Sequence, residues 1–148
     1  IMKISTRARY GIRAIIDIAM NGTSRPVMAK EIVSRLKVSK KYLEQILTTL
    51  KEKGFIRTIR GSKGGYILAK DPESITLKDI FEALEGPIEL VDCIGGIRVC
   101  PMSDDCFARD IWLEVSVAIE SKLKGMTLND IVMKTGHRKN TKEYVYYI

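Results

Sequence analysis

Between Leu43 and Ala69 the apolar residues change their period from that of a helix to that of a hairpin, which restricts the fold more than any other feature. Leu43, Ile46, Leu47 and Leu50 recur at the 3.6-residue spacing that places them on one helical face. Ser39 stands as N-cap and Gly54 as C-terminal stop, so the pattern predicts a helix running to about Lys53. Two β-prone runs then follow, Phe55-Ile56-Arg57-Thr58-Ile59-Arg60 and Tyr66-Ile67-Leu68-Ala69. They flank the glycine-rich turn Gly61-Ser62-Lys63-Gly64-Gly65, the pattern of a hairpin. Upstream, Pro26 precedes a shorter helix carrying Met28, Ile32 and Leu36, and Lys37-Val38-Ser39 is the only connection to the next. Two helices joined by a tight turn form a helix-turn-helix, and a hairpin placed after one is a wing. The polar face of the second helix carries Lys40, Lys41, Glu44, Gln45, Thr48 and Lys51, and its N-terminal part is the part expected to enter a major groove.

The rest of the chain reads as helices. Ala8, Ile12, Ile15 and Ala19 predict one from Ser5 to Met20, which also carries Arg7, Arg9 and Arg13; Asn21-Gly22 ends it. Thr76 with Asp79 makes a capping box for a helix through Leu84, closed by Gly86-Pro87. After a loop over 88–107, a long helix to about Leu123 carries Ile111, Val115, Ile119 and Leu123, with Trp112 and Val117 widening its apolar surface. Such a helix needs cover, either from a second copy of the chain or from the chain's own core. Thr127 and Asp130 cap a last short helix with Leu128, Ile131 and Val132; 136–143 reads as a polar linker. The expected class is therefore mainly α with a small β-hairpin wing. Its parts are a winged helix-turn-helix domain (2–86), a cysteine-bearing loop (87–107), a dimerisation helix with a short C-terminal helix (108–135), and a tail (136–148).

Charge is divided along the chain. Residues 1–70 hold sixteen Lys and Arg against four Asp and Glu, whereas 71–148 hold nine against fourteen. A basic half joined to an acidic half suits one face for a polyanion and another for different work. Double-stranded nucleic acid is the polyanion that such a face serves, since Lys and Arg displace condensed counterions from phosphates; the alternative is a merely solvated basic surface. Arg57, Arg60 and Lys63 add charge to the wing, and Gly61 permits a close backbone approach. No segment reaches the length of apolar chain that a membrane span needs, and no export signal is evident at the start, so the expected location is the cytoplasm.

Cys93, Cys100 and Cys106 lie within fourteen residues. An odd number cannot close a disulfide framework, and clustered thiols in such a setting point to metal, cluster or redox chemistry. Their spacing is not that of a zinc finger. Buried small hydrophobes and redox thiols remain open alternatives. A redox enzyme or cluster carrier is the reading from another class, but the chain has no Cys-x-x-Cys pair, no nucleophile–base constellation and no cofactor loop.

Several short motifs together resemble the Rrf-family winged-helix regulators. They are Met2-Lys3-Ile4-Ser5-Thr6 with Arg9-Tyr10-Gly11, Tyr42-Leu43-Glu44-Gln45, Arg60-Gly61 with Gly64-Gly65-Tyr66, and Leu84-Glu85-Gly86-Pro87. The likeness spans about residues 2–135, and is to the iron–sulfur cluster regulators with features of the cysteine-metabolism repressors. It implies a homodimer with two winged domains and a crossed pair of long helices. Tyr42, Glu44 and Gln45 would then lie on the recognition helix near bases and phosphates, and Arg60 would reach the minor groove. Ser39, Lys40, Lys41, Arg57, Gly61 and Lys63 complete the expected DNA-contacting set. A glutamate at 44 can accept from a cytosine amino group, trading affinity for selectivity. Read as structure alone, Tyr42 is a half-buried aromatic and Glu44 an i,i+4 partner for Lys40.

The resemblance further implies that Cys93, Cys100 and Cys106 hold an iron–sulfur cluster of the [2Fe–2S] type. The chain departs from the family at the fourth ligand. The position of the cluster regulators' histidine is Arg109, and that of the nitric-oxide sensors' N-terminal aspartate is Arg9; guanidinium offers no lone pair. Asp104, Asp105, Asp110, His137 or a small exogenous thiol remain as candidates, and the fourth ligand stays open. The ending Tyr146-Tyr147-Ile148 is similar to the tail of the cysteine-metabolism repressors, and a terminal isoleucine is what cysteine synthase captures; a tail that packs locally is the other reading.

Overall fold

The computed structural model describes the backbone of residues 3–95 and 100–145. In chain order the elements are α1 (Thr6–Asn21), α2 (Ala29–Leu36), α3 (Lys40–Glu52), β1 (Ile56–Ile59), β2 (Gly65–Leu68), α4 (Leu77–Glu85), α5 (Phe107–Lys124) and α6 (Leu128–Val145). This is the mainly helical winged fold that the periodicity predicts.

Each early boundary has a local cause. Ser5 caps α1 by accepting the Ala8 N–H at 3.0 Å, and Ser39 caps α3 by accepting the Tyr42 N–H at 3.2 Å. Between α2 and α3 the chain turns through Lys37 in the left-handed region (φ 53°, ψ 47°), making the connection tight. Strands β1 and β2 pair antiparallel, with Ile56 opposite Leu68 and Ile59 opposite Gly65. Val27 extends this sheet: its N–H donates to the Tyr66 carbonyl at 2.9 Å and its carbonyl accepts from Tyr66 at 2.8 Å. A Cβ at Gly65, whose φ is +156°, would sit 2.5 Å from the Val27 carbonyl oxygen, so only glycine lets the wing close on that edge.

The core is one cluster. Ala8, Ala14, Ile15 and Ile18 of α1 meet Ile32 of α2, the Leu43, Ile46, Leu47 and Leu50 stripe of α3, Phe55 and Ile56 at the wing root, and Ile80 and Leu84 of α4. Leu128 at the start of α6 is fully buried in the same cluster. Burying a Leu, Ile or Phe side chain stabilises by about 1.5–3 kcal/mol. This core therefore sets the angle at which α3 is presented.

Helices α4 and α6 begin side by side. The Leu77 N–H donates to Met126 O and the Leu128 N–H to Ile75 O, each at 2.8 Å. Both starts are capping boxes, Thr76 with Asp79 and Thr127 with Asp130. Helix α5 packs against α4, and α6 against α1.

One expectation fails. Residues 136–143 form no linker, because α6 continues unbroken to Val145. The segment holds one isolated glycine and no proline, and a single helix-interior glycine costs only about 1 kcal/mol relative to alanine. Polar residues there fit a solvated helix as well as a linker. The cysteine-synthase expectation at Ile148 lies outside the described residues.

Candidate nucleic-acid interface and cysteine segment

The apolar stripe of α3 is buried against α1, α2 and α4, which forces its other face outward. Ser39, Lys40, Lys41, Glu44 and Gln45 are all exposed there. Tyr42 is half-buried: its ring meets Tyr10 edge-on at 6.2 Å between centroids and 87° between planes, and Arg13 lies 5.2 Å over Tyr10. The structural account of Tyr42 is thus correct in part, since it wedges α3 against α1 at the rim of the polar face. Lys40 approaches Glu44 at 3.8 Å, one helical turn apart. Both side chains are largely in water, where such a pair contributes little.

Between α1 and α3 runs an open cleft of about 570 Å³, bordered by Arg7, Lys41, Glu44, Gln45 and Thr48 among others. Arg7 donates from Nη2 to Thr49 Oγ1 at 2.6 Å, fixing a cation beside the recognition face. Arg7 was not among the expected contact residues, although the structure places it beside this face. The signal was present in the three arginines on α1, but nothing local shows which of them faces α3.

On the wing, Arg57, Arg60, Gly61 and Lys63 are exposed. The turn closes through Gly64 N–H donating to Gly61 O at 3.0 Å, with Gly61 at φ +112°. Lys63 stands at the tip of this turn, and Arg57 on the open side of β1 opposite Ile67. The arrangement can do what a phosphate-tracking surface requires: a helix N-terminus, fixed cations, and a narrow loop at its flank.

The three cysteines are free thiols between α4 and α5. Cys93 sits half-buried in a 3-10 turn over Asp92–Ile94, Cys100 is exposed, and Cys106 is the half-buried N-cap of α5. Arg109, in the first turn of α5, donates from Nε to the Cys93 carbonyl at 3.2 Å and so ties the Cys93 turn to the start of that helix. Asp104 and Asp105 lie in the Ser103–Asp105 turn, Asp110 in the first turn of α5, and His137 far along α6. Among the described residues, no three His, Cys, Asp or Glu side chains gather closely enough to ligate one metal ion. In chemistry the donor set suits an iron–sulfur cluster, since thiolates are its usual ligands. Residues 96–99, which join Cys93 to Cys100, lie outside the described residues.

Helix α5 carries an unusual surface. Phe107 is 86% exposed and Trp112 44%, and Ile111, Leu113, Val115 and Val117 are exposed with them. Its one fully buried residue is Ser116, whose hydroxyl has no hydrogen-bond partner among the described residues. Lys78 of α4 holds α5 to the body through Glu120 at 2.6 Å, with Glu82 at 3.6 Å.

Comparison with known proteins agrees with this geometry. Residues 4–134 match the family model Rrf2, described as an iron-dependent transcriptional regulator. The protein rrf2 of Nitratidesulfovibrio vulgaris is 40% identical over 131 residues, covering 88% of this chain and 87% of its own. The HTH-type transcriptional regulator CymR of Bacillus subtilis is 33% identical over 147 residues, 99% of this chain and all of that one. Its structure, titled as that of the global cysteine regulator, superposes with a TM-score of 0.76 over 90% of this chain and 98% of that chain. The structure of IscR from T. potens superposes at 0.75, with 32% identity over 90% and 88%. A helix-turn-helix with a glycine-hinged wing, seated on one core and matched over nearly its full length, leaves one conclusion: this chain belongs to the Rrf2 family of transcriptional regulators.

Proposed function

We propose that this protein is a homodimeric regulator that grips promoter DNA with the N-terminal half of α3 in the major groove and the 60–64 turn in the flanking minor groove. Cys93, Cys100 and Cys106 hold an iron–sulfur cluster of the [2Fe–2S] type, which tunes that grip and links it to genes of cluster biogenesis or sulfur metabolism. The observation that carries the DNA reading is the exposed polar face of α3, with Lys40, Lys41 and Gln45 turned outward beside the anchored Arg7. Ser39 orders the helix start, Tyr42 sets its contact with α1, and Glu44 selects among bases. Arg57, Arg60, Gly61 and Lys63 act from the wing.

Thiolates at Cys93, Cys100 and Cys106 would hold a cluster between α4 and α5, and its presence would distinguish two arrangements of that segment. The chain's own residues do the rest. Arg109 joins the Cys93 turn to α5, and Lys78 joins α5 to α4, whose Ile80 and Leu84 lie in the core that seats α3. A ligand shifts DNA affinity only by as much as it distinguishes the two states.

A second reading, a cluster-free repressor controlled by thiol oxidation or by a protein partner such as cysteine synthase, is favoured by one observation. The likeness to CymR runs over the whole of both chains. Anaerobic reconstitution with iron and sulfide analysis separates the two. About two irons and two sulfides per subunit with visible absorbance are expected for a [2Fe–2S] centre; their absence, with operator binding that responds to thiol oxidants, establishes the second reading. Lys41→Ala is expected to weaken binding to all sequences and to lower the salt slope by about one unit. An unchanged slope removes Lys41 from the footprint.

A further inference from the structure

We infer that Arg7, in the first turn of α1, is itself a DNA-contacting residue: its guanidinium grips a backbone phosphate at the edge of the groove that α3 enters, and Thr49 holds it there. The inference rests on the DNA-binding reading above and extends the footprint to a helix outside the helix-turn-helix and the wing. Among the described residues, Arg7 is the one arginine of α1 that hydrogen-bonds to α3. Arg9 donates from Nη2 to Thr6 Oγ1 of its own helix at 3.1 Å, and Arg13 lies over the Tyr10 ring. Arg7, although exposed, crosses to α3, where Thr49 Oγ1 accepts from Nη2 at 2.6 Å. The same hydroxyl donates to the Gln45 carbonyl at 3.2 Å, which leaves its lone pairs to the guanidinium. Arg7 is thereby held in register with the part of α3 that carries Gln45.

Charge and shape both make a phosphate its partner. Among the described residues no carboxylate pairs with Arg7 or with Lys41, which borders the same cleft, whereas Arg25, Arg35 and Lys78 each have one. Glu44, the acid on the border of the cleft, lies 3.8 Å from Lys40. The cleft therefore keeps a positive balance. A guanidinium carries several N–H donors and Thr49 takes one, so others remain to meet two phosphate oxygens at once. Ordering the side chain before DNA arrives also removes part of the rotamer entropy that binding would otherwise lose. Position separates a phosphate from a base edge. A helix with its side chains is about 10–12 Å across and the major groove about 12 Å wide, so α3 itself occupies the floor. A cation carried in from the neighbouring helix meets the wall of the groove, which is the sugar–phosphate backbone.

The test measures affinity across a salt series for the full chain as wild type, Arg7→Gln, Arg7→Lys and Thr49→Val. Two probes are used: a duplex enriched from a random pool by the wild type, and an unenriched duplex of equal length. Arg7→Gln should weaken both duplexes by the same factor, about tenfold, and lower the salt slope by about one unit for each half-site held. Arg7→Lys should keep the slope and recover part of the affinity, because an ammonium keeps the charge but cannot bridge two oxygens. Thr49→Val should weaken both duplexes about threefold with the slope unchanged, since the cation is present but no longer ordered. It should have no further effect once Arg7 is replaced by Gln, a coupling that a purely structural Thr49 would not show. Unchanged affinity and slope in Arg7→Gln, or a loss confined to the enriched duplex, would overturn the assignment while leaving the DNA reading intact. A wild type that enriches no sequence from the pool overturns both.

Discussion

Asp17 and Arg35 hold α1 to α2 through a two-pronged ion pair, Nε to Oδ2 and Nη2 to Oδ1, both at 2.7 Å. Asp17 is 9% exposed and Arg35 38%, so removing the arginine strands a buried carboxylate while removing the acid strands nothing. Losing one partner of a fully buried pair costs roughly 3–5 kcal/mol; here partial exposure of the arginine reduces this to about 2 kcal/mol. Chemical denaturation of Arg35→Ala should show that loss with an unchanged slope against denaturant. Glu31 gives a pH signature. The Arg25 guanidinium, at 2.6 Å, and then the Met28 N–H, at 2.8 Å, lower its pKa from 4.5 to about 2. A carboxylate with a depressed folded-state pKa contributes stability that is present in full above 4.5 and lost as the pH falls through about 2. The stability difference between wild type and Arg25→Met should therefore shrink on acidification across that window; a difference constant from pH 5 to 2 would show that the pair is idle in solution.

Helix α5 is the element whose sequence and surroundings disagree in a single chain. Phe107, Ile111, Trp112, Leu113, Val115 and Val117 are outside, Ile119 and Leu123 are half-buried, and its one fully buried residue is a serine whose hydroxyl has no partner among the described residues. An unsatisfied buried hydroxyl is destabilising, so Ser116→Ala should raise stability by about 1 kcal/mol if nothing in solution satisfies it. A loss on that substitution would show that the assembled protein supplies a partner. Helix α6 behaves in the opposite way. Its first residue is fully buried and stitched to Ile75, so Leu128→Ala should cost about 2–5 kcal/mol and release the α6 start from the winged body. Hydrogen exchange at the Leu128 and Leu77 amides would register that release directly.

The molecule as a whole joins a cationic reading surface, a thiol segment and an apolar helix through one core. A two-fold dimer along α5 would cover Phe107, Ile111 and Trp112 at once and space two recognition helices for successive major grooves. Replacing Trp112 and Val115 together by Glu should yield monomers in sedimentation, and promoter affinity should fall with them because each half-site is then held alone. Dimers that persist in the double variant would place the interface elsewhere.

The order of elements, their caps and the polarity of α3 were legible in the sequence. These features are written within three or four residues: Ser39 before a helical stripe, Thr76 with Asp79, Thr127 with Asp130, glycines between two β-prone runs. Polar runs are ambiguous on the same local evidence, so 136–143 could read as linker until α6 was seen to pass through it. Only the tertiary structure decided that Arg7 meets Thr49, that Asp17 meets Arg35, and that Leu128 shares a core with α1. Those partners stand well apart in the chain. Contacts of that kind depend on how whole helices pack, and packing is settled by shape and burial across the molecule rather than by any short pattern along it.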